Sequence, residues 1–487
     1  MTRKTVSYFS LGIIFVIISV WQIFAAQQGL KVINLHTTNP PVTILTPLDA
    51  EPGSRPTVLI AHGFAGSSVL MRGFALTLAH AGYTAVSWDF QGHGTNPHPF
   101  DLSSESDQLL QDAMRALVEA ESTGLIDAQR IAIIGHSMGS GVALSYGITQ
   151  PFTFAVIAIS PGYQFFNSSL PYNLLLMAGS LEPRFVANAD NIISRSESDI
   201  AKVSERKLVI IPNVEHISIL FSPTAQKTAR LWLDDAFGSQ PGASTYIDRR
   251  MIWFGLGILG FAFLAHAGMQ VISSGNQITA NGKPLWLRMM AMLAGGISAT
   301  IIMWLAGLAG INLNQVLGLL VGGYILLWFG LAGVISLVIL RPQITRPKMI
   351  ELGKGLLAFA ALWLGVGLLG NFVWLPWLLI PQRLWLWIPG SIIIFSWFIS
   401  VGVVTTGTRL SGKIGWWIYQ SITVILSLYL AIILSPSLGF IFIILPLVPV
   451  MIGLHMLVIS SRHGAWAYGI SGAMFIAWLL LAVFPLQ

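Results

Sequence analysis

From residue 251 to residue 487 the sequence consists mainly of long apolar segments that carry no charged side chain. This part of the chain has ten Lys or Arg residues but only one acidic residue, Glu351. A helix of about 20 apolar residues crosses the ~30 Å hydrocarbon core of a bilayer, so each segment is long enough to be a membrane span. The pattern therefore predicts an all-α polytopic transmembrane domain at residues 248–487. We count eight segments, at 251–273, 289–310, 316–340, 355–380, 384–404, 416–434, 439–459 and 465–485.

A further apolar segment lies near residue 1. Arg3 and Lys4 precede an uncharged stretch from Thr5 to about Ala26, which is roughly the length of a membrane span. A secretory signal peptide has a shorter apolar core, of about 7–15 residues, although Phe24-Ala25-Ala26 resembles a weak cleavage site. We expect an uncleaved transmembrane anchor at residues 1–28.

Residues 29–247 have the charge density of a soluble domain. Short β-branched runs alternate with helical patterns, which is typical of a mostly parallel sheet with helices on both faces. The predicted strands are Thr57–His62, Thr84–Trp88, Arg130–Ile134, Phe154–Ile159, Leu174–Met177 and Lys207–Ile211. The predicted helices are Met71–Ala81, Asp107–Glu121, Gly139–Thr149 and Ala225–Ala236.

The positions of Lys and Arg predict an orientation, because cytoplasmic loops of membrane proteins are enriched in these residues. If Arg3 and Lys4 are cytoplasmic, the α/β domain lies outside, towards the periplasm, the cell exterior or an organelle lumen. The loops that alternate with it then lie inside, and they carry Lys283, Arg288, Arg341, Arg346, Lys348, Lys354, Arg409, Lys413 and Arg462. The exceptions to this charge pattern are Arg249, Arg250 and Arg383. We expect a multi-pass protein of the plasma or inner membrane.

The net charge of +6 does not indicate nucleic-acid binding. Residues 1–250 have a net charge of −3 and residues 251–487 a net charge of +9, so the excess lies between apolar spans, where it determines topology. The absence of cysteine excludes disulfides, thiolate metal sites and a cysteine nucleophile. The chemistry predicted below needs neither a metal nor an organic cofactor.

A candidate nucleophile lies between a predicted strand and a predicted helix. Gly135-His136-Ser137-Met138-Gly139 has the pattern G-x-S-x-G. In this setting the small residues allow a sharp turn that exposes the serine hydroxyl above the sheet. We predict that Ser137 is the nucleophile.

A serine of this kind needs a base and an acid, which follow it in the order acid, then histidine, in this topology. Glu182 follows the strand at 174–177, and His216 follows the strand at 207–211. The carboxyl ends of parallel strands meet at one edge of the sheet, so we predict Glu182 and His216 as partners of Ser137. Other candidates for the acid are Glu215, Asp190 and Asp199. Glu215 adjoins His216, and neighbouring side chains diverge, whereas the other two lie in a polar, helical insert.

The negative charge that develops on the substrate oxygen also needs two hydrogen-bond donors. We predict the backbone N–H of Met138, directly after the nucleophile, and that of Phe64, in the loop after the first predicted strand. Gly63 allows close approach there, and His62 is expected to be structural.

Three ordered motifs, His62-Gly63-Phe64, Trp88-Asp89-Phe90-Gln91-Gly92-His93-Gly94 and Gly135 to Gly139, together resemble the α/β-hydrolase superfamily. The branch is that of serine aminopeptidase-like and monoacylglycerol-lipase-like proteins, and the resemblance covers about residues 55–237. It implies that Asp89 and His93 form a structural turn. Two departures are Glu182, where the family usually has Asp, and a lid segment of only about 13 residues, Pro161 to Asn173. The membrane domain resembles no family that we recognise.

These features predict a membrane-embedded serine hydrolase that cleaves an ester, or less readily an amide or thioester, of a lipid or acylated molecule at the extracytoplasmic membrane surface. We expect the membrane domain or the bilayer to complete the pocket. Aromatic side chains of the short lid segment are candidates for an acyl groove or for simple packing: Tyr163, Phe165, Phe166 and Tyr172.

Two alternatives to the hydrolase remain open at this point. An acyltransferase would use the same triad, and a non-enzymatic lipid-binding receptor or scaffold would use the domain for binding only. Ion-coupled transport is disfavoured, because no Asp or Glu lies at the centre of a span. The histidines His266 and His455 and the amides Asn371 and Gln420 do lie within spans.

Overall fold

The fold is described by a computed structural model of the chain. It covers residues 3–101, 105–162, 171–195, 205–272, 283–343, 346–405, 408, 410–459 and 464–487. A first helix, α1 (Arg3–Ala25), leads directly into an α/β domain, and an all-helical region follows that domain. The predicted combination of a hydrolase-type α/β domain with a helical membrane domain is thus confirmed.

The α/β domain is built on one sheet of eight strands in the order β1-β2-β4-β3-β5-β6-β7-β8. Strands β3 to β8 pair in parallel, whereas β1 pairs with β2, and β2 with β4, in antiparallel fashion. The six strands predicted from sequence are all present, and β1 and β2 are additional. The strands are β1 (Leu30–Leu35), β2 (Val42–Pro47), β3 (Pro56–Ala61), β4 (Thr84–Trp88), β5 (Asp127–His136), β6 (Ala155–Ile159), β7 (Leu174–Gly179) and β8 (Arg206–Ile211).

Helices cover both faces of the sheet, because strands β3, β4, β6 and β7 are buried along their whole length and must be covered on both sides. The four predicted helices correspond to α2, α3, α4 and α6, and α5 is additional. The helices are α2 (Arg72–His80), α3 (Glu105–Glu121), α4 (Met138–Thr149), α5 (Pro183–Ser194) and α6 (Pro223–Phe237).

The region after the α/β domain is entirely helical. In the described residues of the whole chain, seven helices are long and apolar enough to span a membrane, or eight if one bent pair is a single span. The helices after the α/β domain are α7 (Arg250–Ile272), α8 (Leu285–Leu308), α9 (Gly322–Leu340), α10 (Met349–Leu362), a π-helical turn (Trp363–Leu368), α11 (Leu369–Val373), α12 (Pro381–Thr405), α13 (Leu410–Leu434), α14 (Leu447–Val458) and α15 (Ala465–Val483).

Three predicted spans differ in detail from the observed helices. Residues 316–321 are irregular rather than helical, since Leu317 and Val321 have positive φ angles of 58° and 62°. The predicted span 439–459 is a bent pair, in which a 3₁₀ helix at Pro436–Ile443 meets α14 at 50°. We call Pro436–Ile443 the 3₁₀ segment. In α7 the described apolar part, Arg250–Ala265, is shorter than a span.

The α/β domain is attached to the membrane region at both of its ends. Helices α1 and α7 pack side by side, and their backbones approach at Gly12 and Gly260. A Cβ on Gly12 would lie 2.8 Å from the Gly260 carbonyl oxygen, so only a hydrogen atom fits there. Phe263 of α7 also contacts Tyr8, with ring centroids 5.7 Å apart.

Candidate active site

Ser137 lies in a strained turn between β5 and α4. Its φ of 52° is in the left-handed region that favours glycine, and such strain is typical of a nucleophile held above a sheet. The turn is possible because Gly135 and Gly139 flank it: a Cβ on Gly135 would overlap the Gly139 carbonyl, and one on Gly139 would overlap the backbone of Ala61. The G-x-S-x-G sequence is thus required by the backbone itself.

The three side chains predicted to act together form one hydrogen-bonded row. His216 Nε2 lies 3.0 Å from Ser137 Oγ, and His216 Nδ1 lies 2.9 Å from Glu182 Oε2. Glu182 and His216 are only 6% and 3% exposed. A buried carboxylate next to Nδ1 keeps a proton on that nitrogen, so Nε2 is free to accept the serine proton.

Glu182 is held in place through its other oxygen. Oε1 accepts hydrogen bonds from Ser160 Oγ at 2.6 Å and from the Gly179 backbone N–H at 2.5 Å. The sequence did not single out Ser160, which follows β6 and has a φ of 49°. Because both oxygens have donors, the buried carboxylate is compensated.

Two of the other carboxylates considered as the acid, Glu215 and Asp190, do not contact His216. Glu215 accepts hydrogen bonds from the backbone N–H groups of Ile217 and Ser218, at 3.0 and 2.7 Å. Asp190 is exposed on α5, and Asp199 lies outside the described residues.

The two predicted N–H donors lie on either side of Ser137. The amide of Met138 is the first of helix α4, where N–H groups have no partner within the helix. Phe64 follows Gly63, whose absent side chain allows close approach: a Cβ there would lie 3.1 Å from the Cβ of Ser137.

Three buried histidines surround the site, and none is part of the Ser137 row. His62 contacts the Gly63 carbonyl oxygen through Nδ1 at 2.8 Å and accepts from the Phe90 N–H through Nε2 at 3.1 Å. His136 Nε2 lies 2.8 Å from the His216 carbonyl oxygen. Burial lowers the pKa of His62, and it lowers the pKa of His93 and His136 well below the usual value. These rings are therefore neutral donors and acceptors that position the backbone.

The Asp89 turn lies beneath the Phe64 loop. Asp89 accepts from the Ser68 N–H at 2.7 Å, the Thr95 N–H at 2.8 Å and the Thr95 hydroxyl at 2.7 Å. His93, in the same turn, packs edge-on against Phe64 with ring centroids 5.7 Å apart. These hydrogen bonds and ring contacts give Asp89 and His93 a structural position.

Comparison with known proteins agrees with this architecture. Residues 52–218 match the family described as serine aminopeptidase, S33. The α/β domain thus has the α/β-hydrolase fold.

Several curated proteins are similar to parts of this domain. An uncharacterized protein of Mycobacterium tuberculosis is 31% identical over 99 residues, which are 20% of this chain and 27% of that protein. An esterase of Escherichia coli is 30% identical over 136 residues, covering 26% of this chain and 53% of the esterase. A monoacylglycerol lipase of Mycolicibacterium smegmatis is 31% identical over 141 residues, covering 28% and 44%. The chain thus spans about a quarter to a half of the length of these relatives.

The membrane region contacts the hydrolase domain directly at the site. Phe440 of the 3₁₀ segment stacks on Phe64 with ring centroids 4.1 Å apart, and Phe442 lies 5.4 Å from the His216 ring. Phe185 of α5, within the hydrolase domain, stacks on the ring of His216, with ring centroids 4.3 Å apart. No motif in the sequence indicates these three aromatic contacts.

Two arginines that are exceptions to the charge pattern attach the membrane helices to the hydrolase domain. Arg383 of α12 is buried and donates to the carbonyl oxygens of Gly92, Phe484 and Leu481, the first two at 2.6 and 2.7 Å. Arg250 pairs with Asp248 at 2.8 Å and donates to the Phe372 carbonyl oxygen at 2.6 Å. Sequence reasoning treated both only as topology signals.

Near Gly92 the chain makes a further connection. The Leu486 N–H donates to the Gly92 carbonyl oxygen at 2.8 Å, and the Phe100 N–H donates to the Leu486 carbonyl oxygen at 2.9 Å. Leu486 also forms a β-bridge with Leu319. The Gly92 turn, which lies next to His93 and Phe64, is therefore held from the membrane region.

Of the predicted lid aromatics, only Tyr172 lies in the described part of the chain. It is 39% exposed. Tyr163, Phe165 and Phe166 lie outside the described residues.

Proposed function

We propose that this protein is a multi-pass membrane serine hydrolase that cleaves an ester bond of a lipid-like or acylated substrate through Ser137, His216 and Glu182. The observation that carries the proposal is the continuous row from Ser137 Oγ to His216 and on to Glu182, with separations of 3.0 and 2.9 Å. The family match is consistent with this chemistry. An amide or thioester is a less favoured substrate.

In the proposed mechanism, Ser137 Oγ attacks the carbonyl carbon of the ester while His216 Nε2 takes the hydroxyl proton. The N–H groups of Phe64 and Met138 stabilise the oxyanion. His216 then gives its proton to the departing alcohol, which leaves an acyl-enzyme on Ser137. A water molecule, activated by the same imidazole, releases the acid and restores the serine. Glu182 stabilises the imidazolium and keeps its orientation.

A lipid-like substrate is supported by the setting of the site. Two of the relatives are an esterase and a monoacylglycerol lipase, and apolar aromatic side chains of a membrane-type region stack on Phe64 and His216. The rings of Phe64, Phe440 and Phe442 form an apolar surround for an acyl chain, whereas Tyr172 precedes β7, at the end of the strand opposite to Glu182. An amphiphile in the bilayer meets such a site without first entering water.

We further propose that the hydrolase domain faces the extracytoplasmic side of a plasma or inner membrane. The distribution of Lys and Arg between alternate loops supports this orientation. Two of the three exceptions, Arg250 and Arg383, are buried with carboxylate or carbonyl partners. They are therefore not loop charges that would oppose this orientation.

A fluorophosphonate probe tests the proposal, since it reacts with an activated serine. We expect the full-length protein in phosphatidylcholine nanodiscs to be labelled, and the Ser137→Ala variant to remain unlabelled. Ser122→Ala, which removes an exposed serine hydroxyl at the end of α3, is the matched control and should label like wild type. Absence of labelling in folded wild-type protein would favour a binding role instead.

A further inference from the structure

A cavity lies in the membrane region beside the 3₁₀ segment. Its volume is about 420 Å³, which suits a headgroup and the adjoining part of a lipid chain. It is formed where α8 and α13 end, so it opens at one end of the helical region. Ser437 and Leu438 of the 3₁₀ segment line it.

The same short segment therefore borders two sites. Ser437 and Leu438 face the cavity, whereas Phe440 and Phe442 contact Phe64 and His216. The cavity and the candidate active site are neighbours separated by one turn of chain. A ligand in the cavity lies next to the place where Ser137 acts.

The lining combines hydroxyl and amide groups with apolar side chains. The side chains with hydroxyl or amide groups are Asn312, Asn314, Tyr324, Ser435 and Ser437. Among the described residues that line the cavity, none is Asp, Glu, Lys, Arg or His. Phosphate recognition relies on charged donors such as Arg or Lys, so the lining fits an uncharged headgroup with hydroxyls.

The apolar part of the lining faces the bilayer. Leu308 and Ile311 are 68% and 54% exposed, at the end of a helix that is apolar enough to span the membrane. Trp304, one turn before Leu308, also lines the cavity. This side gives a lipid chain access from the membrane, without a passage through water.

We propose that this cavity is a substrate-entry site, which binds the uncharged, hydroxyl-bearing headgroup of an amphiphile beside the active site. The inference rests on the proposed function, because it assigns the cavity to the substrate of Ser137. It places part of the specificity of the enzyme in the membrane region, on residues outside the hydrolase domain.

The experiment uses full-length protein in phosphatidylcholine nanodiscs and p-nitrophenyl acetate as a small substrate. The competitors are two ether lipids that cannot be hydrolysed, 1-O-hexadecylglycerol and its 3-phosphate. We expect the neutral ether to inhibit at a concentration at least tenfold lower than the phosphate. Equal inhibition by the two ethers, or stronger inhibition by the phosphate, would overturn the proposed headgroup chemistry.

Gly307→Leu fills the cavity from α8, where a Cβ on Gly307 meets no atom within 4 Å. The inhibition constant of hexadecylglycerol should rise about tenfold, while fluorophosphonate labelling and turnover of p-nitrophenyl acetate stay unchanged. The control is Gly255→Leu, on α7, which is equally free of contacts and should change nothing. An unchanged inhibition constant in Gly307→Leu, or an equal change in Gly255→Leu, refutes the entry site.

Ser437→Lys adds a cation to the lining. The ratio of the inhibition constant of the phosphate to that of the neutral ether should therefore fall at least threefold. No change in the ratio would contradict the placement of the headgroup. The two proposals fail separately: wild-type protein without labelling contradicts the hydrolase function, whereas labelled protein with unaltered inhibition contradicts the entry site alone.

Discussion

The hydrolase domain and the membrane region contribute to the candidate site through different kinds of sequence. In the hydrolase domain, Ser137, Glu182 and His216 each follow a strand, so local patterns place them at one edge of the sheet. In the membrane region, Phe440, Phe442 and Arg383 lie in long apolar stretches whose local pattern says only that a helix crosses a bilayer. Short motifs thus indicate the candidate catalytic residues, whereas the contacts around those residues depend on how distant segments pack.

The largest expected effect concerns the hydrolase domain, where short motifs place the candidate catalytic residues. Ser137→Ala and His216→Ala should each lower kcat for p-nitrophenyl acetate by about 10⁴- to 10⁶-fold, because the members of such a triad act as a unit. The double variant should be no slower than either single variant. Additive losses, measured by steady-state kinetics, would show that the two side chains do not share one proton transfer.

Glu182→Gln should have a smaller effect, of about 10²- to 10⁴-fold in kcat, since the serine and the imidazole remain. The amide cannot stabilise the imidazolium as a carboxylate does. Glu215→Gln is the matched control, because Glu215 bonds only to the backbone of its own turn, and we expect nearly full activity. Wild-type rates in Glu182→Gln, or a larger loss in Glu215→Gln, would assign the acid elsewhere.

Arg383→Leu tests a contact between the membrane region and the hydrolase domain that only the packing of distant segments creates. Three carbonyl oxygens, those of Gly92, Phe484 and Leu481, lose a charged donor, and a hydrogen bond to a charged group contributes about 1.5–3 kcal/mol. We expect the thermal unfolding midpoint to fall by several degrees and fluorophosphonate labelling to slow, since the Gly92 turn supports His93 and Phe64. Arg341→Leu, an exposed arginine after α9, should change neither quantity. A normal midpoint and labelling rate in Arg383→Leu would mean that the two regions do not depend on this contact.

Phe440→Ala should have the smallest effect. An aromatic pair contributes about 0.5–1.5 kcal/mol beyond its buried area, so loss of the stack on Phe64 should raise KM for a long-chain p-nitrophenyl ester about three- to tenfold. KM for p-nitrophenyl acetate should hardly change. Phe152→Ala removes a ring that is 92% exposed and serves as the control. Equal changes for the short and long esters would indicate damage to the site rather than loss of an apolar wall.

Sequence predicted the parallel part of the sheet well, because buried parallel strands are continuous apolar runs between turns. It missed β1 (Leu30–Leu35) and β2 (Val42–Pro47), which pair antiparallel at one edge. Both are short apolar runs that contain β-branched residues, so the strand signal was present in the sequence. Only pairing with β4 makes β2 a buried strand.

The position of each candidate site residue could be predicted where a strand end fixes it. The surroundings could not, since Arg383 and Gly92 are 291 positions apart and no periodicity links them. The irregular stretch at 316–321 was likewise hidden, because Leu317 and Val321 adopt positive φ angles that their side chains disfavour. Tertiary packing imposes both features.

The close crossing of α1 and α7 has a further consequence for the proposed enzyme. The hydrolase domain begins only a few residues after α1 ends at Ala25, and α7 begins at Arg250, so both of its connections reach the bilayer at neighbouring points. The active serine is then kept at a constant height above the membrane plane. Its rate would follow the mole fraction of substrate in the surrounding leaflet, through lateral diffusion, and dilution with inert lipid would slow it even when the bulk amount of substrate is unchanged.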